Sequence, residues 1–111
     1  MKRIIFTSII MMFAVAAFSQ QIYNIKVSDR QDGTFEQYYG TVKVTGNILN
    51  GMKEGSWVEN HPNSELPHFI IQYKEGKKDG LYLEFDKQGN IVKKVDYKND
   101  MIDGMSHVWR K

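Results

Sequence analysis

The sequence predicts an all-β protein of consecutive antiparallel β-hairpin repeats, forming an elongated, twisted sheet after an N-terminal export signal. Three observations predict it. A glycine-centred motif recurs four times at nearly constant spacing, segments of period-two alternation lie between its copies, and the first nineteen residues differ in kind from the rest.

The N-terminal element comes first. Lys2 and Arg3 form a short positive start, and Ile4 to Phe18 then runs without a charge. Ala17-Phe18-Ser19 places small residues at the −3 and −1 positions of a cut before Gln20. Charged head, short apolar middle and small-residue exit make a cleavable secretory signal. The apolar run is shorter than the roughly 20 residues that span a bilayer as a helix. The expected organisation is therefore a signal peptide over 1–19 and one repeat domain over 20–111, secreted or periplasmic. With no cysteine in the chain, a lipid anchor at the cut is excluded, and stability has to come from packing and strand pairing.

Charge narrows the partners. Without Lys2 and Arg3 the remaining chain carries thirteen basic and thirteen acidic residues, and its longest basic runs are pairs such as Lys77-Lys78 and Lys93-Lys94. Nucleic-acid binding needs a basic stripe, and a polybasic membrane anchor needs a denser cluster. No nucleic-acid partner is expected.

The repeat reads as an acidic residue, glycine, any residue, an aromatic, two residues, then a second aromatic. Its copies centre on Gly33, Gly55, Gly80 and Gly104, which are 22, 25 and 24 residues apart. Four positions before each glycine sits another turn former: Asp29, Gly51, Gly76 and Asp100. Between the motifs, Tyr23, Ile25 and Val27 alternate with polar residues. So do Val42, Val44 and Ile48, then Phe69, Ile71 and Tyr73, and finally Ile91, Val95 and Tyr97. Alternation of β-branched and aromatic residues is the half-buried strand pattern. The connector from Asn60 to His68 holds both prolines and absorbs the one-residue mismatch of the 25-residue unit, which would otherwise turn every side chain to the opposite face. The repeat glycines Gly33, Gly55, Gly80, Gly104, Gly51 and Gly76 are expected to be structural, taking turn conformations of positive φ.

Tyr73 to Phe85, with Gly76, Gly80 and Tyr82 between them, resembles the MORN repeat in the bacterial variant found in antitoxin-like proteins. The segment Tyr97 to Trp109 follows the pattern with Asp100 and Ser106 substituted. Ile48 to Asn60 follows it with Ile48 and Asn60 in aromatic slots. The resemblance implies stacked hairpins in a twisted sheet and contacts with proteins or a membrane-proximal surface. It also implies, as an alternative, an antitoxin or immunity-like protein that masks a toxin.

Candidate chemistry is sparse. Gly76-Lys77-Lys78-Asp79-Gly80 superficially resembles a phosphate loop, but no helix follows to supply a dipole. The acidic residues Asp32, Glu54, Asp79 and Asp103 recur in every copy. A catalytic pair is needed once, whereas a side chain accepting turn amides is needed each time. His61, Glu65 and His68 share the longest connector without the tight spacing of a structural zinc site. Neither an enzyme, a cofactor nor a metal is expected. The aromatics carry the binding expectation: Tyr38, Tyr39 and Trp57 are expected to be partly exposed and to contact a protein partner, the cell envelope or, in a carbohydrate-binding alternative, a glycan. Tyr82 and Phe85, flanked on both sides in the cleanest repeat, are expected in the core.

Overall fold

The computed structural model describes residues 21–104 and 106–109, so the expected signal peptide lies outside the described residues. Eight strands make one antiparallel sheet: β1 (Gly33–Tyr39), β2 (Val42–Leu49), β3 (Met52–Asn60), β4 (Pro67–Lys74), β5 (Lys77–Phe85), β6 (Ile91–Lys98), β7 (Met101–Ile102) and β8 (His107–Val108). Strands β1 to β7 lie side by side in chain order, and β8 pairs with β6 beyond the short β7. The sheet is an open succession of hairpins, and no α-helix occurs among the described residues.

Local chemistry fixes the hairpins. Asn50-Gly51, Glu75-Gly76 and Asn99-Asp100 all have positive φ at both residues, the backbone state of the two-residue turns whose twist matches that of the flanking strands. The turn formers four residues before Gly55, Gly80 and Gly104 are thus the second residues of hairpin turns. Asp29 occupies the same place in a turn in which Arg30 N–H donates to Val27 O at 3.0 Å.

Gly55 and Gly80 mark a second recurring feature. The β2–β3 register slips between Thr45 and Asn47, and the β4–β5 register slips between Ile71 and Tyr73. In both cases the later strand carries the extra residues around its glycine, whose φ is +74° at Gly55 and +105° at Gly80. This is a bulge that only glycine adopts cheaply.

Neighbouring repeats are tied through these turns. Asp32 Oδ1 accepts Asn50 N–H at 2.7 Å, and Glu54 Oε1 accepts Glu75 N–H at 3.1 Å. Two of the recurring carboxylates therefore hold the turn of the next hairpin. Gly76 N–H donates to Lys53 O and Asp100 N–H to Lys78 O, at 3.0 and 2.9 Å.

The core lies on one face. Phe35, Ile71, Tyr82 and Val95 come from successive strand pairs, with Trp57 opposite Ile71, and all five are buried. The N-terminal segment is laid against the same face. Ile22, in a 3-10 turn over Ile22–Asn24, joins the core with Ile25 and Val27, while Tyr23 is about half exposed. This corrects the strand expected over Tyr23–Val27. Ile25 and Val27 are buried as expected, but Ile22 takes the place of exposed Tyr23 in the core, and the segment covers a face instead of extending an edge, so it has no ladder to join.

Tyr82 and Phe85 do not share a face. Tyr82 is buried, while Leu81, Leu83 and Phe85 are half-buried on the other side, as the pleat requires of residues three apart. The expectation that Phe85 is core is corrected: it pairs with Ile91 across a register slip at the strand end and is half-buried on the face opposite Tyr82.

Candidate functional site

At the end of the sheet formed by the β1–β2 turn and the β3–β4 connector there is a cavity of about 870 Å³. It falls in the size range of small-molecule sites. Tyr39, Val42 and Pro62 supply apolar wall, and Glu59, Asn60 and His61 supply polar groups. The connector folds over the turn through Asn63 N–H donating to Thr41 O at 3.0 Å and closes on itself through His61 N–H to Leu66 O at 3.0 Å.

The three polar residues are consecutive and all buried, with exposures of 2%, 7% and 7%. A regular strand would turn every second one to the opposite face. The β3–β4 register slips between Glu59 and Asn60, and this irregularity aims both inward. Glu59 Oε1 accepts Gln21 N–H at 2.8 Å and Ile22 N–H at 3.3 Å, so it anchors the N-terminal segment. Burial raises its pKa, and the two amides work in the opposite direction. The Asn60 amide has no hydrogen-bond partner among the described residues. A buried amide left unpaired costs about 1–3 kcal/mol, so its presence at this point demands an explanation other than stability.

The two histidines of the connector meet here. Their rings stack with centroids 4.3 Å apart, and His68 also lies 4.0 Å from the Phe69 ring. His61 Nε2 lies 3.1 Å from Phe85 O and 3.0 Å from Asp86 O. Both are acceptors, so Nε2 carries a proton and donates. Burial, reinforced by His61, pushes His68 down to about 4. His68 is therefore neutral near pH 7, and Glu84 Oε2 at 3.8 Å is too distant to offset the loss of solvation. Glu65 turns away to Lys43 at 3.6 Å. Among the described residues no three His, Asp or Glu side chains gather as a metal site.

The expected binding aromatics separate. Tyr38 is 58% exposed, opposite Lys43 on the edge hairpin. Tyr39, one residue on, faces the other way and lines the cavity; burial raises its phenol pKa, with Arg30 opposing. Trp57 is fully buried, which corrects the expectation of an exposed ring. The reason is Gly46. With no side chain there, the indole lies over the β2 backbone, meets the Phe35 ring at 5.0 Å, and donates from Nε1 to Asn47 O at 3.1 Å. The repeat glycines Gly33, Gly51, Gly55, Gly76, Gly80 and Gly104 all have positive φ.

A second set of contacts repeats with the hairpins. Lys53 Nζ lies over the Trp57 and Tyr73 rings at 5.8 and 5.2 Å. Lys78, 25 residues on, sits 4.3 Å from both the Tyr23 and Tyr97 rings and donates to the Tyr23 hydroxyl. Burial lowers both ammonium pKa values, with Asp100 partly compensating, and raises the Tyr73 phenol to about 12. These cations pin aromatic rings of adjacent repeats and the N-terminal segment.

The sequence does hold a signal for the cavity. Asn60 stands in a slot that holds Phe85 and Trp109 in later copies, and the repeat pattern breaks where the buried polar run begins. What the spacing does not convey is that Tyr39 and the two histidines converge there. No protein-family model matches the chain, and no curated protein and no solved structure matches it.

Proposed function

We propose that the chain is an exported, non-catalytic binding or scaffold module of MORN-like repeats that contacts a protein partner or the cell envelope. The observation that carries the reading is the strip of large apolar side chains at the open β6–β8 end of the sheet. Met101, Ile102, Val108 and Trp109 are 70%, 62%, 62% and 48% exposed along the edge that β7 and β8 form on β6, and Ile91 at the start of β6 is 41% exposed. Open edges with exposed apolar residues are surfaces on which another chain docks. Tyr38 at the β1 edge is a second, smaller contact of the same kind. The recurring glycine bulges and hairpin turns support the MORN-like reading, and the Lys2–Ser19 pattern supports export.

Intact-mass measurement of the exported protein tests the compartment: the expected product begins at Gln20, and full-length chain confined to the cytoplasm refutes export. Binding is tested by photo-crosslinking in the producing cell from probes placed at Ile102 and Trp109. A discrete crosslinked species that disappears with Ile102→Ser, at unchanged melting temperature, is the expected result. Probes that crosslink to nothing at either position refute the docking edge.

A further inference from the structure

We infer that the cavity at the β1–β2 and β3–β4 end is a binding site for a neutral, hydroxyl-rich ligand of the saccharide class. The inference stands on the cavity alone and is independent of the exposed β6–β8 edge. Its first support is Asn60, a residue 93% removed from solvent that lines the cavity and whose amide is without a hydrogen-bond partner among the described residues. Buried amides are nearly always paired, and a bound hydroxyl group pairs with both the N–H and the C=O of this one. The carboxylate beside it uses one oxygen for the Gln21 and Ile22 amides, and its second oxygen remains an acceptor for an adjacent hydroxyl. Carboxamide and carboxylate on consecutive residues suit the vicinal hydroxyls of a sugar.

The remaining walls exclude other classes. The Tyr39 ring, Val42 and Pro62 offer apolar surface to the C–H face of a pyranose. Anions such as phosphate would be placed against the Glu59 carboxylate. A cationic ligand would meet Lys87 at the rim and would leave the Asn60 carboxamide N–H groups unpaired. A wholly apolar ligand would leave the Asn60 amide and the second Glu59 oxygen without partners. Neutral imidazole at His68, stacked on the His61 ring, adds no charge to this wall.

An array carrying neutral glucans, galactans, mannans and chitooligosaccharides, beside polyuronates, sulfated glycans and acidic and basic peptides, tests the site with the purified full chain. Calorimetry on the best probe follows. A neutral glycan bound by wild type, weakened at least tenfold by Asn60→Ala and by Tyr39→Leu, and unaffected by Leu49→Ser at the far end of β2, is the expected result. Tyr39→Leu keeps an apolar side chain against Val42, so it reads the ring's role should Asn60→Ala fail to fold. Absence of any neutral-glycan binding, equal binding by both cavity variants, or preference for a charged probe overturns the inference.

Discussion

Gly46 and Trp57 form a coupled pair whose energetics follow from geometry. A Cβ on Gly46 would overlap the indole, with Trp57 Cε3 only 2.7 Å away and two further ring atoms nearer still. Its φ lies outside the left-handed region, so the backbone itself accepts alanine. The ring cannot withdraw: it is fully buried, bonded to Asn47 O and packed against Phe35. Overpacking of this kind costs about 1–3 kcal/mol, and immobility of the ring places Gly46→Ala at about 2–3 kcal/mol. Trp57→Ala alone should cost about 3–5 kcal/mol as a core truncation. In the double variant the overlap vanishes, and alanine in a strand is about 0.5–1 kcal/mol better than glycine. The cycle should therefore show a coupling of roughly 3 kcal/mol, read from urea melts with unchanged slopes. These are large fractions of the about 5–15 kcal/mol that a small domain possesses. If Gly46→Ala melts like wild type in the presence of Trp57, the indole does not occupy the space over Gly46 and the explanation of its burial is wrong.

Three further outcomes follow from the packing. Tyr82→Ala should cost about 3–5 kcal/mol while half-buried Phe85→Ala costs about 1–2; urea melts in which Phe85→Ala is the more damaging would reverse the face assignment. Gly80→Ala should cost about 1 kcal/mol more than Gly55→Ala, because both need positive φ but only Gly80 also faces Gln72 Oε1, which accepts Leu81 N–H at 2.8 Å; equal thermal shifts would show that Gln72 simply moves aside. His68, at about 4 when folded against an ordinary 6.5, resists protonation in the folded state. Stability from this group is complete above pH 6.5 and is lost as pH falls toward 4. The full shift corresponds to about 3 kcal/mol, and partial exposure of the ring reduces it to roughly 1–2. His68→Gln should flatten that limb of the stability profile, and an NMR titration midpoint near 6.5 would contradict it.

The local parts of the fold were legible because they depend on neighbours in sequence. The alternating segments Val42–Ile48, Phe69–Tyr73 and Ile91–Tyr97 became β2, β4 and β6, and Gly51 and Gly76 became hairpin turns, since alternation and positive-φ residues act within a few positions. The recurring acid was read as an acceptor of turn amides, and Asp32 and Glu54 do accept them, though on the turn of the next hairpin, 18 and 21 residues away. Burial was another matter. Trp57 follows its glycine just as Tyr82 does, yet whether it lies under a neighbour depends on Gly46, eleven residues earlier on another strand. Phe85 repeats the motif faithfully, yet it closes its strand beside a register slip and is only half-buried. Tyr23, Ile25 and Val27 alternate like a strand, but only the assembled sheet, with a face to cover and Glu59 to accept the Gln21 and Ile22 amides, turns the segment into a cover for the core. Likewise the substitution of Asn60 for an aromatic is visible in the repeat, while the cavity it lines needs the β3–β4 slip and the folded connector to exist. Hairpins and their turns are set by contacts short in sequence. Which ring is buried, and which polar group is left without a partner, is set by contacts between strands that no spacing encodes.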